Sequence, residues 1–183
     1  PASAPEGIIV HTVDGSPLSR RDDILVHLNL ALARETLALE IAGQGQLVHI
    51  DRRSEGPAGH AASGARIFVA DGARATIVET YATTGGAHAA NHATYVALGT
   101  GAAVTHVTID LSAPEGTHFA IHEYEVGRDA QLRTLAVHTG SGLARTNVYA
   151  RMAGEGADGQ FTGLNLVSEG QHSDITLETT HAV

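Results

Sequence analysis

Histidine supplies most of the chemistry this chain can offer. Twelve of its 183 residues are His and none is Cys. Imidazole and carboxylate are therefore the groups available for metal binding or proton transfer, and thiolate chemistry is excluded. Two pairs, His88 with His92 and His118 with His122, stand four residues apart. On a helix that spacing puts both rings on one face, within reach of one ion. On a strand it keeps the face but separates the rings by about 13 Å, too far to share an ion. The His118 pair falls in an alternating stretch read as a strand, which argues against chelation there. His88 and His92 fall in a Gly/Ala-rich stretch read as a solvated loop.

Other chemical signals are sparse. Residues 116–123, Gly-Thr-His-Phe-Ala-Ile-His-Glu, resemble the metal motif of cupins, but three residues separate the two histidines where that motif has one. No phosphate-binding loop, nucleophile elbow or HExxH sequence is present. The carboxylates Asp71, Asp129 and Glu155 fall in predicted turns, so the row of acids that a carbohydrate-active β-helix enzyme needs along one strand face is missing. Arg66, Arg74, Arg133, Arg145 and Arg151 are interspersed among apolar strand residues and are read as a charged, solvated outer face. No catalytic, cofactor-binding or metal-ligating residue is assigned on these grounds. The alternatives kept open are a lyase-like carbohydrate enzyme on a β-helix and a cupin-like metal-binding protein.

The elements that would position these residues follow from a repeat. The phrase apolar, small, any, Gly or Asp, Ala recurs as Val69-Ala70-Asp71-Gly72-Ala73, Leu98-Gly99-Thr100-Gly101-Ala102, Val126-Gly127-Arg128-Asp129-Ala130 and Ala153-Gly154-Glu155-Gly156-Ala157. Its closing alanines fall 29, 28 and 27 residues apart. A period of that size marks a unit that buries its apolar face only by stacking on its neighbours. Alternating, Val/Ile/Thr-rich segments enter each phrase (65–69, 93–98, 119–126, 147–152) and leave it (75–81, 104–109, 132–137, 161–167). Gly or Asp in the fourth position admits a sharp bend, and Ala in the fifth fits a tight corner. Two strands and two bends per unit predict a parallel β-helix, an all-β solenoid. An antiparallel β-sandwich is the competing fold. Aromatics at 4% suit a narrow solenoid interior better than a globular core.

The chain divides after its first fifth. In residues 1–36, Leu25, Leu28 and Leu32 stand at helical spacing, with Ser19 as the expected cap and Asp22 and Asp23 near the positive end of the helix dipole. A short helix against the first coil is expected, followed by a β-helix over 37–183 whose first repeat, 37–41 and 47–50, is degenerate. The formal net charge of −9, with no basic cluster beyond Arg20-Arg21 or Arg52-Arg53, argues against a nucleic-acid partner. No apolar stretch is long enough to span a bilayer, and the lack of cysteine fits a cytoplasmic chain.

Residues 140–148 (Gly-Ser-Gly-Leu-Ala-Arg-Thr-Asn-Val), Gly154-Glu155-Gly156-Ala157, 163–166 (Gly-Leu-Asn-Leu), 170–174 (Gly-Gln-His-Ser-Asp) and Thr180-His181 together resemble the core of the SufB/SufD family, on its SufD side. Leu28-Asn29-Leu30-Ala31 and 72–79 (Gly-Ala-Arg-Ala-Thr-Ile-Val-Glu) extend the resemblance upstream. It implies a right-handed parallel β-helix in a non-enzymatic scaffold subunit of the SUF iron–sulfur cluster assembly complex. That subunit would pair with a SufB-like subunit and reach a SufC-like ATPase through a helical segment beyond Val183, where the family carries a Cys-Ser-His-Gly motif. The chain then reads as an excised core, with the cluster handled by the assembled complex and no cofactor of its own. The resemblance further implies SufB contact near the last coil, with His172, Asp174, Thr176, Glu178 and His181 as interface candidates. A coil cut across its strands exposes unpaired backbone groups, so end-to-end self-association, or a terminal segment shielding the coil end, is also expected.

Overall fold

The structure, a computed structural model, describes residues 6–19 and 22–182. Arg20 and Arg21, one of the two basic pairs, lie outside them. Twelve strands and one helix are found among the described residues: β1 (Ile8–Asp14), α1 (Ile24–Leu32), β2 (Glu35–Ile41), β3 (Gln46–Glu55), β4 (Gly59–Val69), β5 (Arg74–Thr84), β6 (His88–Leu98), β7 (Ala103–Asp110), β8 (Thr117–Val126), β9 (Gln131–His138), β10 (Leu143–Met152), β11 (Asp158–Asn165) and β12 (His172–His181). Consecutive strands from β2 onward alternate between two sheets. One sheet runs β1-β2-β4-β6-β8-β10-β12 and the other β11-β9-β7-β5-β3. Every neighbouring pair is parallel except β1 with β2. The result is a parallel β-solenoid of about five turns, and the β-sandwich alternative is excluded.

Stacking is in register, so a residue meets its repeat equivalent on the coil above and below. Ile41, Val69, Leu98, Val126 and Met152 form one ladder on the first sheet. Ala75, Val104 and Leu132 form one on the second. These ladders face each other between the sheets and make the larger apolar core. Outside, Arg133 pairs with Asp158, Arg145 with Asp174 and Arg151 with Glu125 across successive coils, the solvated charge ladder expected from the sequence.

The repeated phrase is the tight corner. Its fourth residue has positive φ in all four copies: Gly72 at 67°, Gly101 at 65°, Asp129 at 53° and Gly156 at 73°. Ala73, Ala102 and Ala130 are buried at the fifth position. The small second position has a separate cause. A Cβ on Gly127 would stand 2.6 Å from the Leu98 carbonyl oxygen, and one on Gly154 2.2 Å from the Arg128 amide nitrogen, because each corner lies directly on the one before.

The helix differs from its sequence reading in three respects. Asp23, not Ser19, is the N-cap, its Oδ1 accepting from the Leu25 amide at 2.7 Å. Ser19 is instead drawn to Glu123 on β8, donating its amide and hydroxyl to Oε2 at 3.0 and 2.8 Å. The buried face is Leu25, Val26 and Asn29, while Leu28 and Leu32 are 37% and 47% exposed. The helix rests on the outer face of β4, β6 and β8, not on the first coil. Leu25 and Val26 pack there with Leu18, Ala93 and Ile121, and Asn29 donates to the Asn91 side-chain oxygen at 2.7 Å. The degenerate first repeat is real: β2 and β3 form a full coil, paired with β4 and β5.

Because no heavy atom would lie within 4 Å of a Cβ on Gly101, replacing it isolates the cost of left-handed backbone. Gly101→Ala is expected to lower unfolding free energy by about 1–2 kcal/mol, and Gly101→Asn by less, since Asn tolerates that region. Urea denaturation of the two variants measures the difference.

Candidate functional site

The space between the sheets is apolar beside the tight corners and polar beside the opposite bends. Inward-facing positions there carry Arg52 on β3, Glu79 and Tyr81 on β5, His92 and Thr94 on β6, His106 and Asp110 on β7, His118, His122 and Tyr124 on β8, and His138 on β9. All are buried. Strand alternation places each of them: Ile77, Glu79 and Tyr81 share a face, as do His118, Ala120, His122 and Tyr124.

Glu79 is the hub. Its Oε2 accepts from Arg52 Nε at 3.0 Å and from the Tyr81 hydroxyl at 3.1 Å. Its Oε1 accepts from the Thr94 hydroxyl at 2.7 Å and lies 3.0 Å from His106 Nε2. Burial alone would raise the Glu79 pKa, but the Arg52 guanidinium and His106 together outweigh it and hold the carboxyl well below the usual range. With the Nε2 proton of His106 directed at Glu79, its Nδ1 accepts from the Tyr124 hydroxyl, 2.7 Å away. Arg52 is held further by Ser63 Oγ at 2.5 Å and Thr94 Oγ1 at 3.2 Å, and Ser63 Oγ lies 2.8 Å from His92 Nδ1. One buried positive and one buried negative charge are thus paired, with hydrogen bonds to their remaining atoms, the condition under which such a pair is tolerated.

Burial disfavours the charged form of three further imidazoles. Burial pushes His92 well below its ordinary value, His118 down to about 4 against the opposing pull of Asp110, and His122 down to about 3. His92 stacks on Tyr81 with centroids 5.0 Å apart. His138 is satisfied by Ser173 Oγ at 2.5 Å and Thr146 Oγ1 at 2.8 Å. His122 is different: both of its ring nitrogens are buried without a hydrogen-bond partner among the described residues. A nitrogen of His122, one of His106 and a carboxylate oxygen of Glu79 all lie within 4.8 Å of one another.

The structure corrects one histidine reading and extends another. His88 and His92 are buried on strand β6, not in a solvated loop, because the Gly/Ala-rich stretch completes the strand paired with β4. His118 and His122 share a strand face as read, and the pairing of His122 with a second imidazole comes from the next sheet, not from its own strand. All five interface candidates lie on β12. By register with β10, His172, Asp174, Thr176 and Glu178 occupy the outer face beside Leu143, Arg145, Asn147 and Tyr149, whereas His181 stands beside the inward Met152. The five therefore do not form one surface. Glu79, Arg52, His106 and Asp110 went unrecognised in the sequence. The signal that could have found them is phase, since each is an ionisable residue at an inward position of an otherwise alternating strand.

A family model described as "SUF system FeS cluster assembly, SufBD core domain" matches residues 53–183. Proteins of Mycobacterium bovis, Mycobacterium tuberculosis and Mycobacterium leprae, each named as an iron–sulfur cluster assembly SufBD family protein, are 33% identical over 81 residues, 44% of this chain. The chain spans about a fifth of the length of these curated relatives, 20% or 21%.

Two outcomes follow from the buried network. Glu79→Gln strands the Arg52 charge and Arg52→Met strands the carboxylate, so each is expected to cost about 3–5 kcal/mol. The double variant should lose clearly less than the sum, which a double-mutant cycle in urea measures. The second concerns pH. His118 faces Asp110 from β7, His138 from β9, Tyr81 and Glu79 from β5, His92 from β6 and Arg52 from β3. Its folded pKa of about 4 lies below the unfolded 6.5, so only the unfolded chain binds this proton in that window and stability falls as pH drops from 6.5 to 4. In His118→Gln that slope should lessen by up to about 1.4 kcal/mol per pH unit, read from denaturation midpoints across the window.

Proposed function

Because the chain belongs to the SufBD core-domain family of SUF iron–sulfur cluster assembly proteins, we propose that it is a non-catalytic scaffold subunit of that system. It acts in the cytoplasm, pairs with a SufB-like subunit, and reaches a SufC-like ATPase through chain outside this sequence. The observation that carries the scaffold reading is the engagement of five strand-face carboxylates. Glu125, Asp158 and Asp174 each bridge to an arginine on a neighbouring coil, and Glu79 and Asp110 are sealed between the sheets. A glycan-cleaving site needs acids free and aligned in an open groove, and these three exposed acids instead tie coil to coil. Among the described residues no helix is long and apolar enough to cross a membrane.

The outer face of β12 offers the partner a row of polar side chains, His172, Asp174, Thr176 and Glu178, on a ten-residue strand. A SufB-like subunit would dock against that face or extend the sheet by adding a strand to its edge. Among the described residues β12 is the edge of its sheet, and self-association of the chain through that edge is the competing outcome.

Co-expression of the full-length protein with SufB-type and SufC-type subunits tests the proposal. A complex that survives affinity purification and size-exclusion chromatography is expected, with Asp174→Ala weakening the SufB-type contact. Failure of either subunit to co-purify overturns the scaffold reading. Unchanged affinity in both Asp174→Ala and His181→Ala removes β12 as the docking strand.

A further inference from the structure

We propose that Glu79, His106 and His122 bind one divalent transition-metal ion inside the solenoid, of the class that imidazole favours, Zn²⁺ or Fe²⁺. This site is independent of the scaffold reading above. Three observations carry it. The first is convergence: one ligand atom from each residue falls within 4.8 Å of the others, close enough for each to stand about 2.0–2.2 Å from a common ion after small side-chain rotations. The second is His122 itself, 2% exposed, with neither ring nitrogen hydrogen-bonded to any described residue. A buried polar group without a partner costs about 1–3 kcal/mol, and a ligand bond from either nitrogen would relieve that cost.

The third observation is space. His106, His122 and Tyr124 line a cavity of about 100 Å³ that continues to Ile175 and Leu177 on β12. A buried water needs roughly 10–15 Å³ by the same measure, so small ligands can complete the coordination of an ion held by three protein groups. Two imidazoles and one carboxylate with open positions is a ligand set known for both Zn²⁺ and non-haem Fe²⁺.

The existing hydrogen bonds accommodate the ion. Arg52 and Tyr81 both address Glu79 Oε2, leaving Oε1, which also accepts from the Thr94 hydroxyl, turned toward His106. When His106 Nε2 takes the metal, its proton is carried on Nδ1 instead, and that N–H donates to the Tyr124 oxygen that previously donated to it. Arg52 also sets a requirement: with its charge already balancing Glu79, a divalent ion leaves excess positive charge in a buried site. A hydroxide ligand in the cavity would offset half of that excess.

The test is metal content of the chain expressed in zinc- or iron-supplemented medium and purified without a chelating tag. About one ion per chain is expected by mass spectrometry after desalting. His122→Leu should fall to about a tenth of that or less, while folding at least as stably as the metal-free wild type, because it removes an unpartnered buried group. His60→Ala, at an exposed position on β4, should keep the full content. Equal metal in wild type and a folded His122→Leu, or no metal in either, overturns the proposal. Co²⁺ substitution gives a second reading, with the d–d absorption of the wild type absent from His122→Leu.

Discussion

In-register stacking of each coil on the next is the constraint on which everything else rests. A parallel ladder repeats the same residue position every 26 to 29 residues, so a side chain must suit its equivalents above and below as well as the sheet it faces. Corners feel this most. Their backbones lie so close that a β-carbon at Gly127 or Gly154 would strike the preceding coil, and their bends require φ values that Gly, and here once Asp, can take. The apolar ladders beside these corners supply the burial that holds the stack together.

The same constraint makes the polar half of the interior possible. A lone carboxylate between two sheets would be costly, but stacking brings Glu79 on one coil beside Arg52 on the previous coil and His106 on the following one. Each partner is about one repeat away in sequence and one strand away in space. The helix serves the outer face of the same sheet in a comparable way. Asp23 both caps α1 and accepts from Asn147 Nδ2 at 2.7 Å and from the Tyr149 hydroxyl, pinning the helix start to β10.

The solenoid was legible because its signal is local and repeated. Four copies of the corner phrase, each flanked by alternating strands, identify the coil, and every predicted strand lies within or overlaps an observed one. The helix was legible as an element but not in its facing, since leucine spacing pointed to Leu28 and Leu32 while contact is made through Val26 and Asn29. An amide at the buried position carries no hydrophobic signature; its role depends on meeting Asn91, which is distant in sequence. The histidine cluster was illegible for a related reason. Spacing within a strand compares residues two or four apart, whereas Glu79, His106 and His122 lie on three different strands drawn from both sheets.

The one antiparallel strand among the described residues gives the molecule a direction. β1 occupies the free edge of β2 with its backbone reversed, in register from Ile8 opposite Ile41 to Asp14 opposite Glu35. A further coil arriving at that edge would find donors and acceptors presented in the wrong sense for a parallel mate. At the opposite edge β12 continues the parallel order unbroken. Among the described residues the stack is therefore vectorial, its parallel order reversed at β1 and kept through β12.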